Sequence, residues 1–140
     1  MADNIRSISQ FEARFKQRAF LCQNTVMKNS SITLSKLYFS LSNQGNLKDI
    51  KKLFHPEATY SSEQTGLYYG VEDIMTMMHH FFNQYQSLHW HIDEMKAKTP
   101  LITEIKFSCL AVDHHQVKSE RTGVERLLVV DELIRHIEVR

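Results

Sequence analysis

Apolar residues recur at two periods along this chain, and the change between them divides it into helices followed by sheet. Between residues 5 and 26, Ile5, Ile8, Phe11, Phe15, Ala19, Cys22 and Val26 fall at steps of three and four. That spacing predicts one stripe of an amphipathic helix, with Arg6, Arg14, Lys16 and Arg18 off the stripe. Asn29, Ser30 and Ser31 break the pattern and offer an N-cap. Leu34, Leu37, Tyr38 and Leu41 then predict a second helix, closed by Asn43, Gln44, Gly45 and Asn46. Gly45 suits the left-handed position just past a helix end. Asn46 caps a short helix whose inward residues are Leu47, Ile50, Leu53 and Phe54. Pro56 stops it, because the residue before a proline avoids helical angles.

Residues 58–62 read as a strand. Gly66 and Gly70 bracket Leu67, Tyr68 and Tyr69, which predicts a sharply turning loop. Glu72 and Asp73 mark the start of a long helix. Its stripe is Ile74, Met77, Met78, Phe81, Phe82 and Tyr85, and it ends near Gln86. From Leu88 the period becomes two: Leu88, Trp90 and Ile92 alternate with His89, His91 and Asp93. Pro100 marks a turn, and Ile105, Phe107, Cys109 and Ala111 alternate through the next strand. Asp113, His114 and His115 form another turn. Residues 117–130 predict a long strand in which Gly123 leaves room for a bulge. Asp131 and Glu132 connect it tightly to a last strand over residues 133–139.

At 140 residues the chain is one domain's worth of protein, long enough to build a core without disulfides or metal. The formal charge of +1 gives no field for nucleic acid or an anionic membrane. No apolar run has the length of a membrane span, and Cys22 and Cys109 stand apart, as in a reducing compartment. The expected location is the cytoplasm. The first helix is expected to pack on the domain or a second subunit, with a membrane-surface or targeting role as its other use.

The block from Tyr38 to Tyr60 (YFSLSNQGNLKDIKKLFHPEATY), the block from Gly66 to Phe82 (GLYYGVEDIMTMMHHFF) and the block from Val124 to Val139 (VERLLVVDELIRHIEV) resemble, in order and spacing, the NTF2-like superfamily. The SnoaL-like and ketosteroid-isomerase-like branch is the most similar. The resemblance implies an α+β cone, a curved mixed or antiparallel sheet wrapped around a long helix with an apolar pocket. It covers about residues 31–140 and leaves residues 1–30 as a helical extension. It also implies a homodimer, no cofactor, and a small apolar or cyclic ligand.

Ketosteroid isomerases use a first-helix tyrosine and a late-strand acid to hold a developing oxyanion. The motif match puts these on Tyr38 and Glu125, the expected catalytic pair. Such donors stabilise an enolate when buried and protonated. The alternative uses are a core tyrosine, and a surface acid paired with Arg121 or Arg126. The family's base position falls on Ser62, and a serine hydroxyl takes no proton from carbon unaided. Glu63, its neighbour, would point to the opposite strand face.

Tyr60, Ser62, Tyr68, His79, Phe82 and Trp90 are the expected ligand-binding residues, with Tyr69 also at an aromatic mouth. His89, His91 and Asp93 share a strand face, but i, i+2 and i+4 spread over about 13 Å and make a poor metal site. Cys109, in mid-strand, is expected to be an inert buried thiol. The expected function is a small-molecule pocket, with isomerase- or cyclase-type acid–base chemistry on a cyclic carbonyl compound. Its rival is a non-catalytic association module acting through dimerisation, with its cone filled by Phe and Met.

Overall fold

The computed structural model describes residues 31–140, so the predicted helix over 5–26 lies outside the described residues. Helix α1 (Ser31–Asn43) leads through a tight turn to the short helix α2 (Leu47–Lys51). Strands β1 (Phe54–Ser62) and β2 (Gly66–Tyr69) precede helix α3 (Val71–Asn83). Strands β3 (Tyr85–Ala97), β4 (Ile102–Asp113), β5 (Lys118–Val130) and β6 (Leu133–Val139) follow. They form one six-stranded sheet in the order β2-β1-β6-β5-β4-β3. β1 and β6 run parallel, and the other neighbours are antiparallel.

The turns follow from their residues. Gly45 takes φ 64°, which lets its N–H reach Ser42 O at 3.0 Å while Asn46 N–H reaches Leu41 O at 3.0 Å. Two of the free carbonyls at the end of α1 are thereby satisfied. Asn46 then caps α2: its Oδ1 accepts from Asp49 N–H at 3.1 Å. Asp131 and Glu132 take φ 51° and 67°, the backbone twist that joins two antiparallel strands through two residues.

The core lies between the sheet and the two long helices. Ile50, Ala58, Ile74, Ile105, Leu127, Ile134 and Ile137 are fully enclosed. Helix α1 crosses β3, β4 and β5, while α3 lies over β1, β2 and β3. Ser31, Ser35 and Ser42 are small enough to let α1 approach closely, and their hydroxyls are bonded. Ser35 Oγ donates to Ser31 O at 2.6 Å, Ser42 Oγ to Tyr38 O at 2.8 Å, and Thr103 Oγ1 to Ser31 Oγ at 2.6 Å. Buried hydroxyls left unpaired would cost on the order of 1–3 kcal/mol each.

Four sequence expectations are corrected. Leu67, Tyr68 and Tyr69 form β2, an edge strand paired with β1 from Thr59↔Tyr69 to Ser62↔Gly66. β1 begins at Phe54 rather than residue 58 and contains Pro56. Its register with β6 shifts between Phe54 and Thr59, so no regular ladder bond is required of the proline nitrogen. Helix α3 ends at Asn83, and Tyr85 already belongs to β3. Gly123 makes no bulge, because β4 and β5 pair without interruption from Ile102↔Leu128 to Val112↔Lys118. Its role is close approach: a Cβ there would lie 2.7 Å from Phe107 Cζ and 3.0 Å from Arg140 O.

Candidate functional site

A cavity of about 130 Å³ opens between the concave face of the sheet, α1 and α3. An apolar cavity of roughly 150 Å³ is known to accept benzene, so this volume suits one ring. Its walls are Phe39, Met77, Phe81, Phe82, Trp90 and Phe107, among others. Phe82 and Trp90 stack with centroids 5.5 Å apart and planes at 36°.

Polar groups gather at the inner end. Tyr38 points in from α1, Tyr60 from β1 and Glu125 from β5. Tyr38 is buried and packs edge-on against Phe39 at 5.6 Å and Phe54 at 6.2 Å. Glu125 is 4% exposed, and its Oε1 has no hydrogen-bond partner. Burial raises its carboxyl to about 8, so at neutral pH it is mainly the neutral acid, a hydrogen-bond donor. Burial also pushes both phenols well above their ordinary range, with the nearby Glu125 charge and each phenol's tyrosine neighbour adding to it. The Ser42 hydroxyl partly opposes this at Tyr38. The cavity thus has one apolar wall and one end holding three protonated oxygens.

Strand alternation explains the aim of Glu125. Arg126, its neighbour, faces the outer surface, with Nε 2.9 Å from Glu104 Oε2 and Nη1 3.0 Å from Glu138 Oε1. Glu125 therefore faces inward, together with Gly123 and Arg121. It is not the surface acid paired with Arg121 or Arg126 that was its alternative use.

Of the expected site residues, Tyr38, Tyr60, Ser62, Phe82, Trp90 and Glu125 line this one cavity. Tyr68 and His79 do not. Tyr68 Oη donates to Thr65 O at 2.5 Å, and the ring borders a neighbouring groove. His79 is exposed on α3 and hydrogen-bonds Asn83 at 3.1 Å. Met78 is buried one residue earlier, and a 100° step from it carries His79 off the core stripe. Tyr69 is 68% exposed, outside the cavity. Glu63 is corrected too: β1 ends at Ser62, so strand alternation no longer governs Glu63, which stands at the cavity rim beside Arg140 at 3.5 Å.

Local sequence marks Asn43 only as a helix end. Its Nδ2 donates to Trp90 O at 2.9 Å and its Oδ1 accepts from Trp90 N–H at 2.7 Å. It therefore acts as a one-residue strand on the outer edge of β3 and fixes the backbone that carries the cavity's tryptophan. Side-chain amides pair with backbone in this way, but no local pattern reveals a partner 47 residues away.

His91 Nε2 and Asp93 Oδ1 lie 3.7 Å apart on the exposed face, and the described residues contain no group of three donors able to hold a metal. Burial raises the Cys109 thiol, which lines the cavity wall. No helix among the described residues is long and apolar enough to cross a membrane.

The sequence profile of the SnoaL-like domain matches residues 36–136. The chain belongs to the SnoaL-like family. Its fold is the NTF2-like cone, shared with solved structures of low sequence identity. An NTF2-like protein of unknown function from Burkholderia pseudomallei is 8% identical, with a TM-score of 0.71 over 78% of this chain and 88% of that one. A putative polyketide cyclase from Xanthomonas campestris is 10% identical, with a TM-score of 0.67 over 77% and 87%. AclR, a putative hydroxylase from Streptomyces galilaeus, is 16% identical, with a TM-score of 0.67 over 77% and 85%. At such identities the likeness concerns the fold and not the chemistry. No curated protein matches this SnoaL-like chain by sequence.

Proposed function

We propose that this SnoaL-like protein binds a small, mostly apolar cyclic carbonyl compound and polarises its oxygen for isomerase- or cyclase-type acid–base chemistry. The observation that carries this reading is the buried, unpartnered Glu125 carboxyl at the cavity end, beside Tyr38 and Tyr60. An unpaired buried oxygen is costly unless something completes it, and a ligand oxygen does so here. Two protonated donors on one oxygen stabilise the negative charge that develops as an adjacent carbon loses a proton. The proton-accepting half is incomplete, since Ser62 is no base and Glu63, the other lining carboxylate, is ion-paired at the rim.

The test is binding of a phenolate, which mimics an enolate, to wild type and to Tyr38→Phe. We expect weakening of about tenfold, the size of one hydrogen bond to a charged oxygen. Unchanged affinity removes Tyr38 from the anchor.

Ser62 at the base position and the packing of Met75, Met77 and Met78 on the core favour a second reading, a non-catalytic module. In it a homodimer would be the working unit. Sedimentation that shows only monomer, together with ligand binding, would reject it.

A further inference from the structure

The cavity is not closed at its outer end. A groove of about 440 Å³ adjoins it, and Gln64, Thr65, Met77, Phe81, Tyr85 and Arg121 border both. Arg121 therefore stands where cavity becomes groove. It lies on the concave face of β5, since Arg121, Gly123 and Glu125 alternate onto one side. Its register partner on β4 is Cys109, which in turn pairs with Trp90 on β3. Arg121 is exposed, so its charge stays solvated at the mouth while its side chain borders the apolar cavity.

Its surroundings set it apart from the cavity's other cation. Arg140, also at the rim, is engaged by Glu138 at 3.2 Å and by Glu63 at 3.5 Å. Arg121 makes no ion pair among the described residues. Its Nη1 donates to a neutral acceptor, Gln64 Oε1, at 2.7 Å. A guanidinium has five donors in a fixed fork suited to a carboxylate, and a single amide oxygen uses one of them. Close by, Thr65 Oγ1 is buried with no hydrogen-bond partner. The site's two unpartnered buried oxygens, those of Thr65 and Glu125, thus border the same cavity.

The path between the two ends is free of side chains on β5. Gly123 leaves the space that Phe107 Cζ occupies, so a flat ring edge lines the route from Glu125 to Arg121. Arg121 and Glu125 are four residues apart on one strand, roughly 13 Å between Cα atoms. One ring with a short arm spans the gap left between the two side chains.

We propose that the ligand carries an anionic arm, a carboxylate held at the mouth by Arg121 and the Thr65 hydroxyl, while its ring oxygen sits at Glu125 and Tyr38. This rests on the pocket reading above and narrows it from a neutral cyclic compound to a cyclic acid. The bond from Arg121 to Gln64 is then exchanged for the ligand's carboxylate, and Gln64 becomes a second donor through its amide.

Trp90 is the chain's one tryptophan and lines the cavity, so its fluorescence reports occupancy. The probes are 3-(4-hydroxyphenyl)propanoate, its methyl ester and 4-ethylphenol, titrated at pH 7 in low salt. The expected result is that the acid binds at least tenfold tighter than the ester. Arg121→Gln should reduce that preference to threefold or less without changing the affinity for 4-ethylphenol, and Arg121→Lys should retain part of it. Equal binding of acid and ester by wild type overturns the anionic arm while leaving the pocket reading intact. A preference that survives in Arg121→Gln overturns the role of Arg121. Failure of all three probes to bind overturns the pocket reading and the anionic arm together.

Discussion

Ser62 and Glu125 face each other across one strand: each is in register with Val139 of β6, Ser62 from β1 and Glu125 from β5. Two strand spacings separate them, about 9.6 Å. A ring bound with its oxygen on Glu125 therefore has room to turn a carbon beside that carbonyl toward Ser62. The position is placed for a base and holds a hydroxyl.

Replacing that hydroxyl should supply the missing function. In the Ser62→Asp variant, the hydrogens beside the carbonyl of a bound cyclic ketone should exchange with solvent deuterium about 10²-fold faster than in wild type, the low end for general-base catalysis. Exchange followed by NMR gives the rate. An unchanged rate with intact binding would mean that the carbons beside the ligand's carbonyl do not come within reach of position 62.

Glu125 should make stability depend on pH with a definite sign. Its carboxyl moves from an ordinary value of 4.5 to about 8 in the folded chain. Between these values the folded state holds a proton that the unfolded state has lost, so stability falls as pH rises through that window and levels off above it. Between pH 5 and pH 8.5 the loss should be on the order of 4 kcal/mol. Urea unfolding at pH 5 and pH 8.5 should show it in wild type, and the Glu125→Gln variant should lack it. If the two proteins share one pH profile, the carboxyl is not buried as described.

Asn43→Ala removes two hydrogen bonds to the backbone of Trp90 at once. The amide is exposed, so water replaces part of the loss, and the expected cost is about 1 kcal/mol. The more telling measurement is the Trp90 emission maximum, which should shift red as the freed edge of β3 admits water. An unshifted spectrum would show that packing against Phe82 alone holds the ring.

Gly123→Ala would place a methyl group 2.7 Å from the Phe107 ring and 3.0 Å from a backbone carbonyl. Overpacking of this kind costs about 1–3 kcal/mol. Trimming the ring, in Gly123→Ala with Phe107→Leu, should recover part of the loss in thermal unfolding; a double variant no more stable than the single one would assign the clash to Arg140 O.

The helices between residues 31 and 83 and the inward faces of β4 and β5 were legible because each depends on local periodicity. Ile105, Phe107 and Cys109 alternate without interruption, and all are buried. What the sequence hid has a common cause. β2 spans only Gly66–Tyr69 and begins on a glycine at φ 110°, so its four residues carry too few alternations to outweigh their turn-like ends. Pro56 reads as a barrier until the irregular pairing of β1 with β6 is known. The inward aim of Glu125 came from resemblance, since a strand acid near two arginines looks like surface, whereas Tyr38 already lay on the apolar stripe of its helix. Arg121 at the mouth and Asn43 on Trp90 depend on contacts between distant elements, which no window of sequence contains.

The parallel pairing of β1 with β6 has a consequence in time. β1 sits between β2 and β6, so the first two strands can join the rest of the sheet only through β6. Leu53 O, Glu63 N–H and Val124 all wait for bonds from residues 134–140. During synthesis, α1 to β5 can gather with α3 bridging β1, β2 and β3, but the cavity has no continuous floor until β6 emerges. Closure of the sheet thus waits on β6, which leaves the edges of β1 and β5 unpaired until then and makes the speed of β6 docking the interval in which aggregation competes with folding.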